Sequence, residues 1–330
     1  MYSGNFSLWC DFLERDFIDG EFRELINDGV FNGATSNPAI FKNAILNSPA
    51  YKESKDKFSK KSSKELYEIL ATQDIRVAAD IMLKNYVDGD DGFVSLEVDP
   101  NLSDNSEATF KEGKRLYSTI GMPNVMIKVP ATKRGYEAMS ELIKKGINVN
   151  ATLIFSPDQT AECLEAFKEG TKAFKKRFVK ANLPKAVISI FVSRFDRMLD
   201  EKMKKNGLEA GKIGILNATK CYHMIQEANL ENTRALFAST GVKGDEFKKS
   251  YYVDELMFKN CINTAPLDTI KEFIKGEKVL KEPTSLKEID AFFKSVKDTK
   301  IDLKGAYKEL LDDGLKQFVV AFDDILKALK

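Results

Sequence analysis

Eight short apolar segments alternate along the chain with longer stretches in which apolar residues recur at helical spacing. Each apolar segment predicts a β-strand: residues 7–12, 33–37, 92–98, 125–130, 148–155, 186–192, 235–240 and 260–264. The stretches between them, such as 132–146 and 157–180, have the length and periodicity of amphipathic helices. Because strand–helix alternation implies a parallel sheet, and eight such units close into a barrel, we predict an α/β fold, a single (β/α)8 TIM barrel.

The barrel accounts for only part of the 330-residue chain, since eight strand–helix units need ~250 residues. The surplus falls at residues 41–85 and in a helical tail at residues 266–330. Neither segment has a Pro-, Gly- or Ser-rich linker or a change in composition, so we expect additional helices packed on the barrel rather than a second domain. Residues 1–330 are therefore predicted to form one domain.

The charges of the chain are balanced, with 51 Lys and Arg residues against 50 Asp and Glu residues. Such a chain has no overall field to attract nucleic acid or an anionic membrane, so neither is predicted as a partner. The lysine-rich runs at 52–64 and 172–180 are interpreted as solvated helix faces. No apolar run approaches the ~18 residues of a membrane span, and residues 1–15 lack a signal-peptide pattern. We therefore expect a cytoplasmic protein.

Cysteine and histidine usage limits the metal and redox chemistry. Cys10, Cys163, Cys221 and Cys261 lie far apart, without the spacing of a metal site or the density of a disulfide scaffold, which favours buried free thiols. His223 is the only histidine, so a histidine-rich zinc site is excluded, and its helical setting favours a packing role. We predict no metal site.

Lys128 lies inside the apolar strand candidate 125–130, where a charge is costly. Full burial lowers the pKa of an ammonium group by as much as ~3 to 5 units, and the neutral amine is a nucleophile that attacks carbonyl carbons. The alternative is a lysine whose stem packs on apolar neighbours while its ammonium reaches solvent. For this strand taken alone, that alternative is the better interpretation.

Polar residues on the other strands reverse that preference. Asn148, Asn150 and Thr152 share one face of their strand, because side chains alternate between the two faces. The opposite face carries Val149, Ala151 and Leu153. Since helices cover the outside of a barrel, the polar face must meet the lumen. The same spacing pairs Ser189 with Phe191, Ser95 with Glu97, Thr35 with Asn37, and Trp9 with Asp11. A structural core would contain Val, Ile and Leu, so a lumen this polar predicts an active site.

A phosphate site is predicted near the ends of the sixth and seventh strands. Arg194 lies there together with residues 238–243, which include Ser239 and Lys243. Two cations, a hydroxyl group and a flexible backbone suit a phosphate, and barrels often bind phosphate in their late loops. Most surface Arg and Lys residues bind nothing, so this prediction depends on position.

Six segments on these strand candidates together carry a specific combination of motifs. They are Trp-Cys-Asp-Phe at 9–12, Gly-Ala-Thr-Ser-Asn-Pro at 33–38, Val-Ser-Leu-Glu-Val at 94–98, Ile-Lys-Val-Pro at 127–130, residues 146–156, and Ser-Ile-Phe-Val-Ser-Arg at 189–194. From about residue 7 to residue 266 the chain resembles transaldolase, a cofactor-free class I family of the pentose phosphate pathway. The resemblance implies transfer of a dihydroxyacetone unit from a ketose phosphate (sedoheptulose 7-phosphate or fructose 6-phosphate) to an aldose phosphate (glyceraldehyde 3-phosphate or erythrose 4-phosphate).

The same resemblance implies a role for each candidate residue. Lys128 would form the Schiff base, Asp11 would act as acid and base, and Glu97 with Thr152 would position a water molecule. The residues implied to hold the substrate are Thr35, Asn37, Asn150, Ser189 and Phe191. Arg194 and Ser239 would bind the phosphate, and Lys243 is the nearest replacement for a second phosphate-binding arginine that has no direct match here.

Two alternatives stay open. A fructose 6-phosphate aldolase shares the barrel and the lysine but releases free dihydroxyacetone; that branch carries a tyrosine at the position of Phe191 and a glutamine at that of Glu97. A catalytically silent barrel that binds sugar phosphates is the other, although the presence of Lys128, Asp11 and Glu97 together weighs against it. The sequence does not decide the oligomeric state, and a homodimer is one possibility.

Overall fold

A computed structural model describes residues 5–299 and 301–330. Eight parallel strands form a closed barrel in chain order, with β8 paired to β1. The strands are β1 Ser7–Cys10, β2 Gly33–Thr35, β3 Phe93–Glu97, β4 Val125–Pro130, β5 Asn148–Ile154, β6 Ala186–Phe191, β7 Thr233–Ala238 and β8 Cys261–Ala265. The predicted (β/α)8 barrel is confirmed, and each predicted segment overlaps one strand. Only β7 begins earlier than predicted, because Thr233 and Arg234 already pair with β6.

Fifteen α-helices lie within the described residues, and most of them surround the barrel. They are α1 Arg15–Asp19, α2 Glu21–Asn27, α3 Pro38–Asn47, α4 Lys52–Lys57, α5 Ser63–Ile81, α6 Leu83–Val87, α7 Ser106–Ile120, α8 Lys133–Lys144, α9 Pro157–Arg177, α10 Ser193–Lys205, α11 Ile213–Ala228, α12 Tyr251–Glu255, α13 Leu267–Phe273, α14 Leu286–Asp298 and α15 Leu303–Ala328. Short 3-10 helices occupy Pro49–Tyr51 and Pro100–Leu102. The additional helices predicted for residues 41–85 and 266–330 are therefore present.

Several helices begin at a polar residue just after a strand. The side chains of Asn37, Thr132 and Ser156 accept hydrogen bonds from backbone N–H groups in the first turns of α3, α8 and α9. Such N-caps satisfy donors that the helix itself leaves unpaired, and they hold short strand-to-helix loops in one conformation. The loops at the carboxyl end of the barrel are therefore well ordered platforms for side chains.

Bulky side chains fill the lumen at the amino-terminal end of the strands. Trp9, Phe93 and Met126 are buried there, and the indole N–H of Trp9 donates to Asp91 at 2.9 Å. A Cβ atom on Gly33 would lie 2.4 Å from the Trp9 ring, so only glycine fits beside it. These side chains consequently close the polar part of the lumen at the amino-terminal end of the barrel.

Leu153 departs from the predicted alternation. Its φ angle is +59°, and the pairing of β5 with β6 shifts register between Ala151 and Ile154. Such a bulge adds one residue and changes the direction of its side chain. Leu153 packs with lumen and C-terminal residues such as Phe191, whereas Val149 and Ala151 join the outer core. The prediction that Leu153 faces the outer helices is therefore wrong.

The C-terminal helix α15 packs across the carboxyl end of the barrel. A Cβ atom on Gly314 would lie 2.9 Å from the Leu153 side chain and 3.5 Å from Arg194, so the helix backbone is close to both. The Tyr307 hydroxyl donates to Asn217 at 3.0 Å, and Lys42 of α3 pairs with Asp324 at 2.7 Å. These contacts attach α15 to the barrel at both of its ends.

Other expectations are settled by burial and contacts. The four cysteines are free and buried, and a ring nitrogen of His223 lies 2.8 Å from the Thr284 carbonyl oxygen, in agreement with a packing role. Helix α4, in the first lysine-rich run, buries none of its residues, as a solvated face requires. Among the described residues, no helix has the length and apolarity needed to cross a bilayer.

Candidate active site

Lys128 occupies the middle of the lumen. On β4 it pairs with Glu97 of β3 on one side and with Asn150 of β5 on the other. Its side chain is 6% exposed, and Nζ donates to the Ser36 carbonyl oxygen at 3.1 Å. The alternative in which the Lys128 ammonium reaches solvent is therefore wrong. The amine is desolvated and directed at the other lumen groups.

Glu97 is the closest acidic group, with Oε2 3.7 Å from Lys128 Nζ. Burial raises the pKa of Glu97 to about 7; nearby Asp11 acts in the same direction, and Lys128 opposes both. Within the described residues neither carboxyl oxygen accepts a hydrogen bond. A buried carboxyl group of this pKa takes up and releases a proton near neutrality, as general acid–base chemistry requires.

Asp11 follows β1 and belongs to a chain of hydroxyl groups. Thr35 Oγ1 donates to Asp11 at 2.6 Å and lies 2.6 Å from Thr264 Oγ1. Because the Thr35 proton is used on Asp11, the Thr264 hydroxyl must donate to Thr35. Burial raises the pKa of Asp11, while the charge of Lys128 and the hydrogen bond from Thr35 lower it. The chain therefore orients one Asp11 oxygen and leaves the other available.

A second polar chain orients the amide of Asn150. Ser189 Oγ donates to its carbonyl oxygen at 2.6 Å, and its amide nitrogen donates to Ser95 Oγ at 3.1 Å. On the same strand, the buried hydroxyl of Thr152 has no partner among the described residues. Buried polar groups are seldom left unpaired, so Thr152 is a natural contact for a water molecule or a substrate hydroxyl.

A cavity of about 160 Å³ opens above these groups. Its lining residues are Asp11, Thr35, Asn37, Ala39, Lys128, Ser189, Phe191, Arg194, Ala238, Ser239, Thr264, Gln317 and Phe318. Asn37 Oδ1 caps α3 by accepting from Ile40 at 3.1 Å, which leaves its amide N–H groups for a ligand. Glu97, Asn150 and Thr152 do not line this cavity but lie in the surrounding barrel wall.

The cationic end of the cavity is formed by Arg194. Its guanidinium carbon lies 5.2 Å from the Phe191 ring centroid, and its Nη1 has no partner among the described residues. Burial lowers the pKa of Arg194, with Arg197 acting in the same direction and Asp313 against it. Ser239 adopts φ +56°, and its hydroxyl lies 3.1 Å from that of Ser193. A half-buried guanidinium with an unpaired Nη1 beside hydroxyl groups suits an anion.

Lys243 lies apart from this group. It is exposed, and it does not line the cavity that holds Arg194 and Ser239. The structure thus brings Arg194 and Ser239 to the same site but leaves Lys243 in the loop outside it.

Besides Ala39, the sequence analysis missed three cavity residues: Thr264, Gln317 and Phe318. Thr264 lies two positions after Ile262 on β8, so strand alternation places both side chains on the same face of the strand and could have indicated Thr264. Gln317 and Phe318 come from α15, far along the chain from the barrel strands, and no local pattern indicates that this helix reaches the lumen. They are the contribution of the C-terminal tail to the site.

A larger cavity, of about 380 Å³, lies at the opposite end of the barrel beside Trp9. Asp91 there accepts from Trp9 and, at 2.7 Å, from Arg234. Arg234 also donates to the carbonyl oxygens of Asn5 and Cys261. The two charges pair with each other, so they have a structural explanation. The smaller cavity, which holds Lys128 and Asp11, is therefore the candidate active site.

Comparisons with known proteins identify the family of the chain. A model of the Transaldolase/Fructose-6-phosphate aldolase family matches residues 8–329. A protein of Campylobacter jejuni (strain RM1221) named Transaldolase is 52% identical over 330 residues, covering 98% of this chain and 99% of that protein. Two proteins of Helicobacter pylori with the same name are 45% (strain Shi470) and 43% (strain ATCC 700392 / 26695) identical, again with 98% of this chain and 99% of each relative covered.

Proposed function

The chain belongs to the transaldolase family and is a transferase, and we propose that it acts through a Schiff base on Lys128. The observation that carries the proposal is the burial of this amine in a lumen that holds two carboxyl groups. The substrates are sugar phosphates: a ketose phosphate donates a dihydroxyacetone unit to an aldose phosphate. Sedoheptulose 7-phosphate and fructose 6-phosphate are the proposed donors, glyceraldehyde 3-phosphate and erythrose 4-phosphate the proposed acceptors, and the pentose phosphate pathway the setting.

The first step joins Lys128 to the ketose. Nζ attacks the C2 carbonyl carbon, and loss of water leaves a cationic iminium. We assign Glu97 and Thr152 to the proton transfers of this step, because the pKa of about 7 lets Glu97 both give and accept a proton. The unpaired hydroxyl of Thr152 supports a role in holding the water molecule.

The second step breaks the C3–C4 bond. Asp11 removes the proton of the C4 hydroxyl, the bonding electrons move toward the iminium, and an aldose phosphate leaves. Asn37, Asn150 and Ser189 hold the remaining three carbons, and Thr35 fixes Asp11 by its 2.6 Å hydrogen bond. The enamine then attacks the aldehyde of the incoming aldose phosphate in the reverse sequence.

The phosphate end is assigned to Arg194 and Ser239. Support comes from the unpaired Nη1 of Arg194 inside the cavity and from the hydroxyl of Ser239 on the same wall. Lys243 is proposed as a further phosphate contact; because it is exposed, it would have to reach the phosphate from outside the cavity.

Borohydride trapping tests the proposal directly. Reduction in the presence of fructose 6-phosphate, followed by peptide mass spectrometry, should find a three-carbon adduct on Lys128. Lys128→Ala should remain folded and give no adduct and no transfer, while Lys168→Ala, which changes an exposed lysine, should behave as the wild type. Absence of an adduct on a folded protein that binds the sugar would favour the silent sugar-phosphate binder.

The fructose 6-phosphate aldolase is kept as the second candidate, because the matching family includes that activity. Phe191 argues against it: its phenyl ring lines the cavity where the aldolase branch has a phenol able to deliver a proton. Phe191→Tyr should therefore increase release of free dihydroxyacetone in a coupled assay. If the release of free dihydroxyacetone does not increase, Phe191 does not account for the difference between the two activities.

The remaining assignments are also proposals. The one-domain organisation is supported by the packing of α15 on the barrel, and a cytoplasmic location by the four free, buried cysteines. A homodimer is to be tested by sedimentation equilibrium. We propose that the reaction needs no cofactor or metal, because the iminium itself accepts the electrons of the broken bond.

A further inference from the structure

We propose that Phe318 of the C-terminal helix is a specificity-determining residue that shields the enamine carbon from water. Shielding makes transfer to an aldose faster than release of free dihydroxyacetone. The inference rests on the proposed Schiff base at Lys128 and extends it to a residue outside the barrel strands. It also gives the C-terminal tail a task in the reaction.

The position of the Phe318 ring carries the argument. The side chain is 4% exposed, lines the same cavity as Lys128, and has its ring centroid 5.9 Å from Lys128 Nζ. Any group attached to Nζ extends into this small cavity and therefore lies beside the ring. Phe191, also in the cavity wall, supplies a second apolar surface. The two rings leave little room for solvent around a three-carbon adduct.

The helix that carries Phe318 is held in place from several sides. Gly314 permits close contact with Leu153. Tyr307 bonds to Asn217, whose amide donates in turn to the Phe155 carbonyl oxygen at 2.9 Å. The ring is thus a fixed part of the cavity roof. Since an apolar wall that excludes water protects a reactive intermediate from side reactions, its position has a chemical consequence.

The reaction that Phe318 would suppress is protonation of the enamine. The enamine carbon takes a proton from water, and the resulting hydroxide adds to the iminium carbon. The C–N bond to Lys128 then breaks with proton transfer to the amine, and dihydroxyacetone leaves. The water consumed here balances the one released when the iminium formed, and no oxidant or reductant is needed. Fewer water molecules beside the enamine therefore mean fewer releases per transfer.

The test measures the ratio of free dihydroxyacetone released to dihydroxyacetone transferred, with fructose 6-phosphate and erythrose 4-phosphate as substrates. Phe318→Ala should raise this ratio on the order of tenfold, as expected when a wall that excludes water is removed. The matched control is Ile325→Ala, because Ile325 is fully buried on the same helix but packs in the outer core. A loss of folded protein lowers both rates equally and leaves the ratio unchanged.

The outcomes separate this inference from the proposed function. If wild-type protein forms no borohydride adduct on Lys128, the Schiff base is refuted. If the adduct forms but Phe318→Ala leaves the ratio at the wild-type value, or Ile325→Ala raises it equally, the shielding role is refuted. If Phe318→Ala does not fold, Phe318→Leu decides: a smaller but measurable increase supports shielding, and an unchanged ratio overturns it. In deuterium oxide the extra dihydroxyacetone should carry deuterium at the former enamine carbon.

Discussion

Replacement of Glu97 by glutamine should change how the stability of the protein depends on pH. The pKa of Glu97 is about 7 in the fold against an ordinary value of 4.5, with burial as the main cause. Below pH 4.5 the carboxyl group is protonated in both the folded and the unfolded chain and contributes no difference. Between pH 4.5 and 7 only the unfolded chain loses the proton, so the folded state is progressively destabilised. Above pH 7 the effect is complete.

The magnitude follows from the two pKa values. Their difference is about 2.5 (7 minus 4.5), and each pKa unit corresponds to ~1.4 kcal/mol, which gives about 3 kcal/mol. Glutamine resembles the protonated form and cannot ionise, so Glu97→Gln lacks this loss. The attraction of Lys128 for the ionised carboxylate is already contained in the pKa of about 7. Any further difference between glutamine and the protonated carboxyl group offsets the stability of the variant by an amount that does not change with pH. The prediction therefore concerns the change with pH.

Urea unfolding at pH 4.5 and at pH 8 measures this change. The free energy of unfolding of the wild type, minus that of Glu97→Gln, should fall by about 3 kcal/mol between the two pH values. Glu107→Gln is the control: Glu107 is exposed and its pKa is lowered by a hydrogen bond from Lys111, so its difference should have the opposite sign and be small. A constant difference for Glu97→Gln would refute the raised pKa on which the proton-transfer role depends.

Two further predictions concern the phosphate end and the floor of the lumen. Arg194→Ala should lower kcat/KM for erythrose 4-phosphate about 100-fold and affect an unphosphorylated acceptor far less, since a charge-assisted phosphate contact contributes about 3 kcal/mol. Equal losses for both acceptors would count against phosphate binding. Because Lys243 is exposed, Lys243→Ala should lower kcat/KM less than Arg194→Ala does. Gly33→Ala should destabilise the fold by about 1–3 kcal/mol in thermal unfolding, because the new methyl group would lie 2.4 Å from the Trp9 ring. An unchanged Tm would mean that the indole moves at little cost.

The barrel was predictable because both periodicities were intact along the chain. The outward faces of the strands are mostly apolar, as at Val125, Ile127 and Val129 on β4. Most of the site was predictable for the same reason, since alternation places Lys128, Asn150 and Thr152 toward one lumen. The start of β7 was missed because Arg234 interrupts the apolar run; the structure accommodates it by pairing with Asp91.

The other features of the fold and of the site depend on contacts between distant segments, which no local sequence pattern encodes. Leu153 has a left-handed backbone, which alternation cannot indicate, and its side chain turns toward α15 only because Gly314 leaves space there. Phe318 has an apolar side chain at ordinary helical spacing, so its sequence position suits a core residue equally well. Its place above Lys128 follows from the path of the whole tail. Residues of this kind complete the site from outside the barrel and need the folded chain to be recognised.

In the proposed mechanism Glu97 and Asp11 have different tasks. Lys128 must lose a proton before Nζ can attack a carbonyl carbon. Asp11 is already engaged by Thr35, whereas Glu97 has no hydrogen bond within the described residues and lies 3.7 Å from Nζ. This separation is too long for a direct hydrogen bond. In the proposed mechanism the proton reaches Glu97 after a small rotation of a side chain or through one water molecule. In the proposed mechanism Glu97 then holds the proton until the carbinolamine needs it, and Asp11, oriented by Thr35, takes the proton of the C4 hydroxyl. The proposed mechanism thus assigns the two carboxyl groups of the lumen to two successive proton transfers.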